Sequence, residues 1–123
     1  MTQQILIIDD DDGIREVIQA WLEVSGEWEV LSAASGLEGI AIAKASQPDA
    51  ILLDMVMPDL DGLATFERLQ ADPGTATIPT ILLTAQADVS QQQQLLDLGC
   101  AGIIAKPFRG QDLTNQIKVI LSG

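Results

Sequence analysis

Ile5-Leu6-Ile7-Ile8 runs directly into Asp9-Asp10-Asp11-Asp12, and Gly13-Ile14-Arg15-Glu16-Val17-Ile18-Gln19-Ala20-Trp21-Leu22 follows at once. The first four residues form a short, largely β-branched apolar run, the pattern of a strand buried on both faces. In the last ten, Ile14, Val17, Ile18, Trp21 and Leu22 fall on one helical face. Four consecutive carboxylates therefore occupy the turn from a strand into a helix.

The same alternation continues to the end of the chain. Trp28 to Leu31, Ala50 to Leu53, Ile78 to Leu83 and Ala101 to Ala105 are further short apolar runs that predict strands. Between and after them lie segments of helical spacing: Leu37, Ile40 and Ala41; Leu63, Phe66 and Leu69; Leu95 and Leu98; Leu113, Ile117 and Ile120. Ser25-Gly26, Gln47-Pro48 and Asp72-Pro73-Gly74 supply helix stops. The glutamine run Gln91 to Gln94 is good helix-forming sequence and predicts a solvated face. Strand and helix alternate five times with short connections. Right-handed crossovers then require a parallel sheet with helices on both faces, a doubly wound α/β domain.

A chain of 123 residues has room for one such domain. Apolar residues make up 47% of it, but no run approaches the roughly 20 apolar residues of a membrane helix. The N-terminus lacks the basic flank and cleavage site of a signal peptide, so a soluble, cytoplasmic protein is expected. Cys100 is the lone cysteine and there is no histidine, which excludes an internal disulfide, a multi-cysteine metal site and a histidine base. With 18 acidic and 6 basic residues the formal net charge is −12, a field that repels nucleic-acid phosphates. No direct nucleic-acid or membrane partner is expected. The aromatic residues are only Trp21, Trp28, Phe66 and Phe108.

In an open α/β sheet, ligands gather at the carboxyl ends of the strands. The first strand ends in Asp9 to Asp12, the third in Asp54, the fourth in Thr84-Ala85 and the fifth in Lys106-Pro107-Phe108. Two carboxylates ~4 Å apart at an effective dielectric of ~20 repel by about 4 kcal/mol, so a cation is expected among them. Mg²⁺ suits a shell of one or two carboxylates, a backbone carbonyl and waters. Asp9, Asp10 and Asp54 are the candidate carboxylate ligands and Val56 the candidate carbonyl. Asp54 is the candidate nucleophile, with Lys106 as point charge and Thr84 as hydroxyl donor for a transferring phosphoryl group.

Each residue also has a plainer explanation. Asp9 to Asp12 suit a solvated acidic turn in which Asp11 or Asp12 caps the first helix. Asp54 suits a turn ahead of Pro58, Asp59, Asp61 and Gly62; Thr84 and Lys106 suit an ordinary strand end and a surface lysine. Their coincidence at successive strand ends favours a site.

Over essentially its whole length the sequence resembles the receiver domains of two-component response regulators. The resemblance rests on Ile7-Ile8-Asp9-Asp10 with Arg15, on Leu52-Leu53-Asp54-Met55-Val56-Met57-Pro58-Asp59-Leu60-Asp61-Gly62, on Leu82-Leu83-Thr84-Ala85, on Gly99-Cys100-Ala101-Gly102 and on Lys106-Pro107-Phe108. It implies one receiver domain over residues 1–123: a flavodoxin-like, five-stranded parallel sheet in the order 2-1-3-4-5, with five helices. It further implies that Asp54 accepts phosphate from a sensor histidine kinase or phosphotransfer protein, that Asp9 and Asp10 hold Mg²⁺, and that Thr84 and Lys106 contact the phosphoryl group. A downstream target protein would meet the face made by the fourth helix, fifth strand and fifth helix. Turnover of an external substrate is not expected.

One departure qualifies the resemblance. Many family members carry an aromatic residue at the position of Ile103, and Val56 and Gln86 occupy variable positions that would tune the lifetime of the acyl phosphate. The chain ends at Gly123 soon after the fifth helix, as in regulators that act by docking or in an excised receiver. Two rival functions share the architecture. One is a docking module indifferent to phosphorylation. The other is a Mg²⁺-dependent phosphatase resembling the haloacid dehalogenases, which Val56 disfavours by standing where that class has its second Asp. A flavodoxin is disfavoured by the acidic strand end.

Overall fold

The computed structural model describes residues 3–55, 62–84, 89–106 and 110–122. Five strands alternate with five helices: β1 (Gln3–Ile8), α1 (Asp12–Val24), β2 (Trp28–Ala33), α2 (Gly36–Ser46), β3 (Ala50–Asp54), α3 (Gly62–Ala71), β4 (Thr80–Thr84), α4 (Val89–Asp97), β5 (Gly102–Ala105) and α5 (Gly110–Ser122). The strands form one parallel sheet in the order β2-β1-β3-β4-β5, as expected. Among the described residues no helix is long and apolar enough to cross a membrane.

Successive side chains of a strand point to opposite faces, and here both faces are covered. Ile5 and Ile7 of β1 join Leu52, Ile81, Leu83 and Ile104 on the face packed by Ile18 and Leu22 of α1 and Leu113 and Ile117 of α5. Leu6 and Ile8 join Ile51, Leu53 and Leu82 on the face packed by Ala43 of α2 and Phe66 and Leu69 of α3. All of these side chains are buried. Burial of the sheet on both faces explains why its strands read as continuous apolar runs.

Several boundaries and faces differ from expectation. β4 begins at Thr80 rather than Ile78, because the Ile78 amide closes a turn onto the Thr75 carbonyl and Pro79 has no N–H for the ladder. In α2 the face turned to the sheet is Gly36, Gly39 and Ala43, leaving Leu37 58% exposed and Ala41 exposed. The cause is close packing: a Cβ on Gly39 would lie 2.4 Å from Ile8 Cδ1, so the helix presents its small residues where it rides over β1. Leu98 lies beyond α4 in the turn toward β5 and is 49% exposed, whereas Leu95 packs against the core. Of the glutamine run, Gln93 and Gln94 are exposed as expected.

The helix ends follow their capping residues. Asp11 caps α1 by accepting from the Ile14 amide, and Ser35 caps α2 by accepting from the Glu38 amide. Gly26 at φ 74° and Gln47 at φ 48° take the left-handed conformation after α1 and α2.

Gly62 sets the start of α3 against the end of β3. A Cβ there would lie 2.3 Å from Met55 Cα and 2.4 Å from the Asp54 carbonyl oxygen, both backbone atoms with no rotamer to yield. Gly62→Ala is therefore expected to lower the unfolding free energy by about 1–3 kcal/mol, measured by urea denaturation. A stability equal to the parent's would show that α3 does not press on β3 in solution.

Candidate functional site

The order β2-β1-β3 means that the chain leaves β1 toward one side of the sheet and leaves β3 toward the other. A crevice opens between their carboxyl ends, where the winding of the chain reverses. Ile8 pairs with Leu53 in the ladder, so Asp9 and Asp54 are neighbours one position further on. Asp9 is 0% exposed and Asp54 is 4% exposed, while Asp10 is solvated. One carboxylate oxygen from each of Asp9, Asp10 and Asp54 lies within 4.8 Å of the other two.

The β4 and β5 ends complete the crevice. Thr84 is buried at the end of β4, and its carbonyl accepts from the Lys106 amide at 2.8 Å, which carries the chain out of β5 beside it. The Lys106 ammonium reaches past β4 to Asp54, with Nζ 3.0 Å from Oδ1. This pair links the fifth strand end to the third. It is a charge-assisted hydrogen bond sheltered by surrounding protein.

Asp9 is held differently. Its Oδ1 accepts from the Asp11 amide at 2.9 Å, and its Oδ2 is buried without a hydrogen-bond partner. Burial, opposed by the Asp11 amide and reinforced by the neighbouring Asp54 charge, pushes the Asp9 carboxyl up to about 6. Three carboxylates and one ammonium leave the crevice two negative charges in excess. An orphaned buried carboxylate oxygen beside two further carboxylates is a donor set of hard oxygens, and a small divalent cation fits it in charge and in ligand type.

The structure thus brings together Asp9, Asp10, Asp54, Thr84 and Lys106, all inferred from strand ends. Val56, the carbonyl candidate, lies outside the described residues, as do Gln86, Pro107 and Phe108. Ile103 is half-buried on β5 and packs beside the cluster containing Leu82 and Leu95. The expectation that Asp11 or Asp12 caps α1 resolves in favour of Asp11. Arg15, part of the resemblance but without an expected role, has a guanidinium that bonds the Asp9 carbonyl and the Asp12 carboxylate. The i,i+3 spacing from Asp12 signals the ion pair in the sequence, but not the bond to the Asp9 carbonyl.

Comparison with known proteins agrees with this geometry. Residues 5–118 match the family model described as response regulator receiver domain. The chain is 36% identical over 118 residues to the DNA-binding dual master transcriptional regulator RpaA of Synechocystis, covering 96% of this chain and 48% of that protein. It spans about half the length of the curated relatives it matches. Among solved structures it superposes on a putative response regulator from Chloroflexus aurantiacus with a TM-score of 0.89, at 36% identity and with 100% of both chains covered. It also resembles the receiver domain of sensor histidine kinase PA1611 from Pseudomonas aeruginosa, described with a magnesium ion coordinated in its active site cleft: TM-score 0.86, 29% identity, 100% of both chains covered. Sequence match, strand order and acidic crevice agree, and the chain belongs to the receiver domain family of two-component response regulators.

Proposed function

We propose that Asp54 is the phosphoacceptor, taking a phosphoryl group from the phosphohistidine of a sensor histidine kinase or phosphotransfer protein. The observation that carries this is the pairing of a buried Asp54 carboxylate with the Lys106 ammonium beside the orphaned Asp9 oxygen. An Asp54 carboxylate oxygen attacks phosphorus, the P–N bond to the donor imidazole breaks, and the imidazole nitrogen takes up a proton. Lys106 and the Thr84 hydroxyl then serve the phosphoryl oxygens, exchanging contacts within the crevice for contacts to the new group. Asp9 and Asp10, with Asp54 and the Val56 carbonyl, would hold Mg²⁺, which when bound offsets the negative charge of the phosphoryl group. Phosphorylation is read out by a protein partner, through the face of α4, β5 and α5, where Ile103, Val119 and Ile120 line a groove of about 320 Å³.

The donor has a docking surface beside the nucleophile. A groove of about 600 Å³ is lined by Ile14, Val17, Ile18 and Trp21 of α1 and opens at Asp11 and Lys106. Val17 is 46% exposed beside the half-buried Ile14 and Trp21, which leaves an apolar strip for a partner helix.

Incubation of the purified chain with acetyl phosphate and Mg²⁺ is expected to add the mass of one phosphoryl group, and Asp54→Asn is expected to abolish the increase. An unchanged increase in that variant would move the acceptor elsewhere, and no increase in the parent would favour a docking module indifferent to phosphorylation. Val17→Glu is expected to slow transfer from a phosphohistidine donor protein about tenfold, equivalent to ~1.4 kcal/mol of contact energy, while labelling by acetyl phosphate stays at the parental rate. Equal slowing with both donors would place the effect in the chemistry.

Asp9 makes the metal site sensitive to pH. A carboxyl raised from 3.8 to about 6 in the fold binds its proton more tightly folded than unfolded, so in EDTA its contribution to stability increases as pH falls from about 6 toward 3.8. Mg²⁺ needs the ionised form, so its affinity is expected to be level above neutrality and to weaken by up to about tenfold per pH unit below pH 6. Calorimetric titration at pH 5, 6 and 7.5 checks this; an affinity constant across that range would show that Asp9 does not titrate in competition with the metal.

A further inference from the structure

We infer that Arg15 is a positioning residue for the divalent cation, fixing Asp9 so that its unpartnered oxygen faces the crevice. The inference rests on the proposal that this crevice binds Mg²⁺. Asp9 has four polar atoms, and three are engaged. Its amide donates to the Ala33 carbonyl at 3.1 Å, its carbonyl accepts from Arg15 Nη1 at 2.7 Å, and its Oδ1 accepts from the Asp11 amide at 2.9 Å. Only Oδ2 is left, buried and without a partner. The bonds to Ala33 and Asp11 come from backbone geometry; the bond from Arg15 is the one made by a side chain.

The placement of Arg15 is otherwise unfavourable. It lies within about a turn of the N-terminus of α1, the positive end of the helix dipole, where an acidic residue would be preferred. Its side chain is nonetheless only 16% exposed, folded back over the turn from β1 rather than extended into water. Its second nitrogen, Nη2, bonds Asp12 Oδ1, so the guanidinium spans both ends of the turn from residue 9 to residue 12. A planar fork can hold two acceptors on different residues at fixed angles, which a single ammonium cannot. The four-aspartate turn is thus closed by one cation, directed at a backbone carbonyl and at the last carboxylate of the run, Asp12, rather than at the carboxylates of the metal candidates.

Positioning and simple electrostatics predict opposite signs. If Arg15 acted only through its charge, removing it would relieve repulsion and strengthen Mg²⁺ binding. If it orients Asp9, removing it releases the peptide that carries the carboxylate, and binding weakens. Loss of a partner that orients a metal ligand typically lowers affinity about 10–100-fold.

The test is calorimetric titration of MgCl₂ into the full chain and into Arg15→Gln and Arg15→Lys, with circular dichroism and thermal melting in EDTA to establish that each is folded. Arg15→Gln is expected to raise the Mg²⁺ dissociation constant about tenfold or more, and Arg15→Lys, which keeps the charge but loses the fork, is expected to raise it as well. Either folded variant binding Mg²⁺ as tightly as the parent overturns the inference, even if its melting temperature falls, because a merely structural role lowers stability without moving metal affinity. If Arg15→Gln does not fold, Arg15→Lys alone decides. Failure of the parent to bind Mg²⁺ overturns the metal proposal and this inference together, whereas parental binding with unchanged variants overturns only the role of Arg15.

Discussion

Like charges gathered at the ends of neighbouring parallel strands impose the constraint on which the site depends. The ladder that pairs Ile8 with Leu53 leaves Asp9 and Asp54 no choice but proximity, and both are buried. One ammonium, from Lys106, offsets Asp54, and Asp9 is left with a carboxyl raised to about 6. A fold selected only for stability would replace such a group by an apolar residue. Retaining it leaves the domain with an electrostatic deficit of the kind a divalent cation would relieve; on the proposed function, metal binding and the readiness of Asp54 for a phosphoryl group would be parts of one charge balance.

That balance can be kept only on a rigid frame, and the sheet supplies it. Every residue of β3 and β4 is buried, as are the last four of β1, so the strand ends that carry Asp54, Thr84 and the approach to Asp9 are anchored on both faces. The positions just beyond the strands are fixed by backbone bonds: the Met55 amide to the Leu83 carbonyl, the Lys106 amide to the Thr84 carbonyl, and the Gly62 amide to the Met55 carbonyl. A functional group placed on strands is held more accurately than one placed on a loop.

The fold was legible where a single periodicity decided the outcome. β1, β3 and α1 read correctly because both sheet faces are buried and because Ile18 and Leu22 mark an unambiguous helical face. α2 was misread because apolar size was taken for burial. Gly39 and Ala43 face the sheet because only small residues permit that approach to Ile8, and Leu37 is left outside. The carboxylates of the site were legible because strand ends are known once strands are known. The bond from Lys106 to Asp54 and that from Arg15 to the Asp9 carbonyl were not, since each depends on how far a flexible side chain reaches across elements distant in the chain or folds back on its own turn.

The same charges bear on how a phosphodonor can approach. Among the described residues, four basic side chains are held in ion pairs: Arg15 with Asp12, Lys44 with Asp72, Lys106 with Asp54, and Lys118 with Glu27. Two of these four serve the crevice itself. With a formal net charge of −12, long-range steering works against a phosphorylated donor rather than for it. On the proposed docking, contact energy would come from short-range apolar burial, for which the groove along Ile14, Val17 and Trp21 lies beside Lys106. A donor seated there would meet a local ammonium within a repelling field, an arrangement that would favour a complementary protein surface over a free anion of the same charge.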